Sequence, residues 1–209
     1  MTKEGKIIAI IGASRSGKSF VARKLAKEFN AEVFLEGEEG EFPKRIEEDI
    51  RENIRPLERI LWFRNLLVKQ YLQALELKAQ GKNVVIDVYW IANSMYFDVL
   101  LKDFELELMH EHAAIDFKFL PFPDLVVFLK TSEEKIREFT KLGGRSFDTS
   151  EEVIVQQLLP LNEKYNQFFA NPPEGMKFIT VDRSSKDFDL ETDFKELIED
   201  IKGALYKGF

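Results

Sequence analysis

The chain of 209 residues contains no cysteine, which excludes disulfides, thiolate metal sites and cysteine nucleophiles. Histidine is scarce as well. The only two, His110 and His112, fall two apart on a helical stretch and share no face, so they read as surface residues. Long apolar runs are missing. Stretches such as Ile7–Ile11 and Leu125–Leu129 are far too short to span a bilayer. The opening Met1-Thr2-Lys3-Glu4-Gly5 is polar and offers no secretory hydrophobic segment, so a cytoplasmic protein off the membrane is expected. Basic charge is also short. Thirty Lys and Arg face 37 Asp and Glu, for a net charge of −7. That balance argues against a nucleic acid polymer as partner, although a local basic pocket for one anion stays open.

What is present is a globular composition, 44% hydrophobic and 32% charged. Most of the 19 phenylalanines belong in a core. Apolar, β-branched strands are expected at Lys6–Ile11, Ala31–Leu35, Asn83–Ile86, Leu125–Leu129 and Met176–Val181. Helical patterns fall between them. They cover Gly17–Phe29, Pro56–Ala79, Ser94–Leu101, Glu105–Phe119, Thr131–Leu142, Ser150–Phe169 and Leu190–Tyr206. The spacing from Thr131 to Glu134 is that of a capping box. Strands alternating with helices, each strand apolar on both faces, predict an α/β three-layer sandwich. Its centre is a five-stranded parallel sheet, and the whole chain, 1–209, is one domain.

Gly12-Ala13-Ser14-Arg15-Ser16-Gly17-Lys18-Ser19 fits G-x-x-x-x-G-K-[ST] at every fixed position, between a buried strand and an amphipathic helix. Its glycines let successive N–H groups point at phosphate oxygens, and the following helix adds its positive N-terminus. Lys18 is expected on the β- and γ-phosphates of ATP, and Ser19 on Mg²⁺. Asp87, ending the third strand, is placed to supply the metal-side carboxylate or else caps the next helix. Glu36, ending the second, opens toward the same crevice. It is either the base that takes a proton from an attacking hydroxyl or a solvated glutamate in an acidic turn. Arg137, Lys141 and Arg145 lie in and after one helix. Gly143-Gly144 could hinge them into a small lid over the phosphates, around 137–150; otherwise they are a solvated face.

Together these pieces resemble the deoxynucleoside kinase family, within the thymidylate kinase-like group, over nearly the whole chain. The resemblance is carried by the phosphate loop, Phe34-Leu35-Glu36, Trp62-Phe63-Arg64 and Gly81–Asp87. It continues through Pro123–Ser132, Leu161-Asn162-Glu163-Lys164-Tyr165 and Val181-Asp182 with Asp187-Phe188. It implies transfer of the γ-phosphate of ATP to the 5′-hydroxyl of a deoxynucleoside, with Mg²⁺, by a homodimer. Glu36 matches the family's catalytic base and Asp87 the acid of its Asp/Glu-Arg-Ser motif. Arg137, Lys141 and Arg145 match its lid. Trp62 and Phe63 stand where the family lines its base pocket.

Three positions depart from that pattern. Val88 replaces the arginine that follows Asp87. Arg64 stands where the family carries a base-reading glutamine, and it offers five donors and no acceptor. Gly143-Gly144 stretches the lid. Two alternatives follow. Asp87-Val88-Tyr89 resembles the Asp-Arg-Tyr of thymidylate kinases as incompletely, and a phosphate on the acceptor would suit Arg64 and Arg15. The other is an ATP-binding relative that acts as a subunit or regulator without turnover.

Overall fold

The computed structural model describes residues 4–37, 41–141 and 153–206. Strand β1 (Ile7–Ile11) leads through the phosphate loop into α1 (Lys18–Glu28). Strand β2 (Ala31–Phe34) is followed by α2 (Lys44–Arg51) and the long α3 (Pro56–Ala79). Next come β3 (Asn83–Asp87), a 3₁₀ segment (Trp90–Tyr96), the short α4 (Phe97–Leu100) and α5 (Asp103–Phe119). Strand β4 (Leu125–Lys130) precedes α6 (Glu133–Lys141). A π-helical turn (Ile154–Leu158) runs into α7 (Leu159–Ala170), and β5 (Phe178–Asp182) and α8 (Glu191–Tyr206) complete the described chain.

All strand pairs are parallel, in the order β2-β3-β1-β4-β5. Successive side chains of a strand point to opposite faces, and the core divides accordingly. Ile7, Ala9 and Ile11 join Val84, Ile86 and Phe128 on the face covered by α3 and α7. Ile8 and Ile10 join Val85, Val127 and Leu129 on the face covered by α1 and α8. The expectation that every strand is buried on both faces holds for β1, β3 and most of β4, but not at the edges. Strand β2 is partly exposed throughout, with Glu32 and Val33 open to solvent, and β5 buries only Val181. An edge strand has a neighbour on one side only, so helices need not cover both of its faces.

Two local expectations change. Helix α2 lies where no helix is read from the sequence. Lys-Arg-Ile-Glu-Glu-Asp-Ile-Arg holds only Ile46 and Ile50 as apolar residues, too short a stripe for a periodic signal. The cap of α6 falls one residue later than the Thr131 box predicts. The Ser132 hydroxyl accepts the Lys135 N–H at 3.3 Å, while Thr131 donates to the Leu129 carbonyl. The helix expected from Ser150 begins outside the described residues.

Asp124 ties the start of the sheet together. Its carboxylate accepts the Ile7 N–H at 2.9 Å and pairs with the ammonium groups of Lys6 and Lys78, each at 2.9 Å. Burial pushes this carboxyl up, but the Ile7 N–H and the two ammoniums outweigh it and hold it below its ordinary value. Asp124→Asn is expected to cost about 1.5–3 kcal/mol at neutral pH, the worth of charge-assisted hydrogen bonds. Since the folded value lies below the unfolded one of about 3.9, that increment is present above it and lost as pH falls through the folded value. Denaturant unfolding of both proteins should therefore give stabilities that converge in acid. A constant gap down to low pH would contradict this.

Candidate active site

The site forms where the chain leaves β1 and β3 on opposite faces of the sheet. Helix α1 follows β1 on one face, and the 3₁₀ segment follows β3 on the other. The crevice between their carboxyl ends is where ligands of open α/β sheets bind.

The phosphate loop is built as its spacing requires. A Cβ added at Gly12 would come within 2.8 Å of the Leu129 carbonyl oxygen, so only glycine fits there. Gly17 caps α1 with φ +86°, the left-handed region that glycine enters without strain. Ser16 is fully buried, and its N–H turns back to the Ala13 carbonyl at 3.2 Å. Lys18 opens α1 and donates from Nζ to the Ala13 carbonyl at 3.0 Å, which folds its ammonium over the loop. Arg15 takes φ +71° at the loop's turn and is partly exposed, as is Ser14.

The Ser19 hydroxyl donates to Asp87 Oδ2. A hydroxyl and a carboxylate in contact at the mouth of the phosphate loop form an oxygen donor pair of the kind Mg²⁺ takes. Asp87 is buried at the end of β3, opposite Ile10 in register. The next residue, Val88, has φ +78° and is buried. A β-branched residue in that region is a true outlier, and such strain collects at functional sites.

A cavity of about 90 Å³ runs from this loop along α3. Ser14, Lys18 and Glu36 line it at one end. Gln70 of α3 donates to the Leu35 carbonyl at 2.8 Å, which fixes the residue before Glu36 against the helix. Ile60, Phe63 and Leu67 form one apolar wall; Ala92, Val99 and Leu100 form another. Asn93 holds these walls together by donating to the Ile60 carbonyl at 3.1 Å. Leu158, Leu161 and Tyr165 close the side under the π-helical turn. Tyr165 is buried against Phe128, and burial pushes its phenol well above the ordinary value, so it stays neutral. Tyr96 OH lies 3.4 Å from the Ser14 hydroxyl.

Several sequence-predicted residues lie elsewhere. Arg64 does not line the cavity. Its Nε donates to Asp116 Oδ2 at 2.9 Å and its Nη2 to Oδ1, a forked pair with α5 that raises the guanidinium's pKa further. The expectation that Arg64 takes the place of a base-reading glutamine therefore gives way to a tie between α3 and α5. On a helix, the neighbour of cavity-lining Phe63 points about 100° away from it. Trp62 is also outside the lining. It packs edge-on with Phe63 and Phe42, at ring centroid distances of 4.9 and 5.6 Å. Arg137 pairs with Glu133 one turn earlier, and Lys141 is exposed at the end of α6; neither lines the cavity. Arg145 and the Gly143-Gly144 hinge lie outside the described residues, as does most of the expected lid at 137–150.

Two buried cations are absent from the sequence reading. Arg183, after β5, sits between the rings of Phe139 and Phe188 at 4.9 and 5.0 Å, beside Gly17 of the phosphate loop. Arg59 enters the cavity from the first turn of α3. A signal for Arg59 existed, since it precedes Phe63 by one helical turn and so shares its face.

No protein-family model and no curated protein matches the chain. Solved structures do match its fold. Deoxyadenosine kinase from M. mycoides with bound dATP is 20% identical at a TM-score of 0.76, covering 93% of this chain and 98% of that one. The same enzyme with products dCMP and a flexible dCDP is 20% identical at 0.75, covering 94% and 99%. Thymidylate kinase from Candida albicans is 22% identical at 0.65, covering 96% and 94%. No described helix is long and apolar enough to cross a membrane. With its parallel five-stranded sheet between helices, the chain adopts a deoxynucleoside kinase-like P-loop fold.

Proposed function

We propose that the protein transfers the γ-phosphoryl group of ATP to the 5′-hydroxyl of a (deoxy)nucleoside. The observation that carries this reading is one cavity lined jointly by Lys18 and Ser14 of the phosphate loop and by Glu36, with apolar walls beyond. The loop amides from Gly12 to Ser19 hold the donor phosphates. Lys18 neutralises charge that develops on the transferred group. Glu36 accepts the hydroxyl proton, and Phe63 packs against the acceptor. Ser19 and Asp87 would hold Mg²⁺, which supplies further charge neutralisation when bound. Arg137, Lys141 and Arg145 form the proposed lid, and the protein acts as a homodimer, to be checked by light scattering.

The test is incubation with Mg²⁺-ATP and a panel of nucleosides and nucleoside monophosphates, with products followed by mass. Phosphorylated nucleoside is expected. Diphosphate formed only from monophosphates, or ATP binding with no acceptor turned over, would overturn the reading. Glu36→Gln keeps the size of the side chain and removes the base. It is expected to lower kcat about 100-fold, near the lower end for general base catalysis, with KM little changed.

A further inference from the structure

Arg59 is a charged side chain sunk in an otherwise apolar part of the cavity. It is 5% exposed and forms no ion pair among the described residues. Its Nη2 donates to Asn53 Oδ1 at 3.1 Å, and its buried Nε has no hydrogen-bond partner. Asp49 acts on it only through space: Arg55 holds the Asp49 Oδ1, and Oδ2 is buried without a hydrogen-bond partner. Burial pulls the Arg59 guanidinium below its ordinary pKa. A guanidinium has five N–H donors, and burying even one without an acceptor is costly. The side chain lines the cavity, so a bound molecule can supply acceptors to its Nη groups.

Its position says which part of the molecule that is. Gln70 is fixed to the Leu35 carbonyl, beside Glu36 and the phosphoryl-transfer end. Arg59 stands roughly 16 Å from Gln70 along the α3 axis, at about 1.5 Å per residue. It therefore faces the far end of an acceptor whose hydroxyl is at Glu36, too distant to hold a phosphate poised for transfer. Between the two ends lie Ile60, Phe63 and Leu67, a surface suited to the flat faces of a base.

We propose that Arg59 reads the base of the acceptor, selecting an edge with two adjacent acceptors, a ring nitrogen beside an exocyclic carbonyl oxygen. Guanine offers N7 with O6, and cytosine N3 with O2. Adenine sets an amino donor beside N7, which a donor-only fork cannot satisfy. The Asn53 contact fixes the guanidinium and leaves its remaining Nη hydrogens as the fork offered to the ligand, while Nε–H is buried.

This inference rests on the cavity being the acceptor site, so the decisive measurement is binding rather than turnover. Calorimetry of deoxyguanosine, deoxycytidine and deoxyadenosine is carried out with the wild type, Arg59→Gln and Arg59→Lys. The wild type is expected to bind deoxyguanosine or deoxycytidine at least tenfold more tightly than deoxyadenosine, and the two arms separate the purine from the pyrimidine edge. Arg59→Gln should erase that preference by roughly 10–100-fold, the worth of a bidentate base contact. Arg59→Lys keeps the charge but loses the fork, and should erase it too; it also decides the matter if the glutamine variant fails to fold. Equal wild-type affinity for all three overturns the proposal. So does a uniform loss across the three, or an unchanged ratio with a lowered melting temperature, the mark of a purely structural cation. Base preference without turnover would remove the proposed reaction and leave Arg59's role standing. Turnover without base preference would remove Arg59's role alone.

Discussion

Lys18→Ala is expected to lower kcat/KM for phosphoryl transfer about 1000-fold while leaving the fold intact. Lys18 Nζ is held at the loop, 3.0 Å from the Ala13 carbonyl, and lines the cavity with Glu36. Charge on the transferred group spreads over its outer oxygens in the transition state, and a fixed cation beside it stabilises that state more than the ground state. Removing one preorganised charge-stabilising donor typically costs 10²–10³ in rate, and a full cation belongs at the upper end, about 4 kcal/mol of barrier. The loss should fall mainly on kcat, because the loop amides still hold the ATP phosphates. Stability should hardly move. Lys18 sits partly exposed in the first turn of α1, and alanine is the better helix former there. Steady-state kinetics with circular dichroism separates the two effects. Full turnover by Lys18→Ala would remove the phosphate loop from the chemistry altogether, and a loss of rate matched by loss of folding would remove the catalytic interpretation of the lysine.

The phosphate-loop end of the candidate site is legible in the sequence because it is built locally. A strand, a glycine-punctuated loop and a helix follow one another without interruption, so the loop from Gly12 to Ser19 is set mainly by neighbours in sequence. Asp87 and Glu36 can be placed for a related reason. Asp87 ends β3 and Glu36 lies two residues past β2, and a parallel sheet brings strand ends to one edge. The cavity end is harder to read. Whether Arg64 or Arg59 faces the cavity depends on the rotation of α3 against the sheet, and that rotation is set by contacts distant in sequence. Arg64 finds Asp116 on α5, and Gln70 finds the Leu35 carbonyl. Helix α2 is missed because its placement comes from Ile46, Asp49 and the Asp49–Arg55 pair, with too few apolar positions to show a period. The strained backbone at Val88 is also invisible to propensity, which would never put a β-branched residue at φ +78°.

The largest effect on stability is expected at Phe128. Its ring is 2% exposed at the centre of β4 and stacks on Phe169 with centroids 4.2 Å apart and planes 11° from parallel. Tyr165 lies beyond it at 6.4 Å. Phe128→Ala removes the ring from a close-packed layer that includes Ala9, Val126 and Leu161. Secondary structure on both sides prevents collapse into the gap, so the cavity cost adds to the transfer cost, for about 3–5 kcal/mol in all. For a chain of this size that is a fall in melting temperature of roughly 6–20 °C. The effect should reach the site as well. Helix α7 carries Leu161 and Tyr165 into the cavity, and its Phe169 packs on the sheet through Phe128 and Phe178. Phe128→Leu restores much of the volume and should recover more than half of the lost stability, while leaving Tyr165 without its aromatic neighbour. Calorimetric unfolding of the three proteins measures both steps. A Phe128→Ala cost under about 1 kcal/mol would mean that the α7 layer repacks freely, and that Tyr165 is held by something other than this stack.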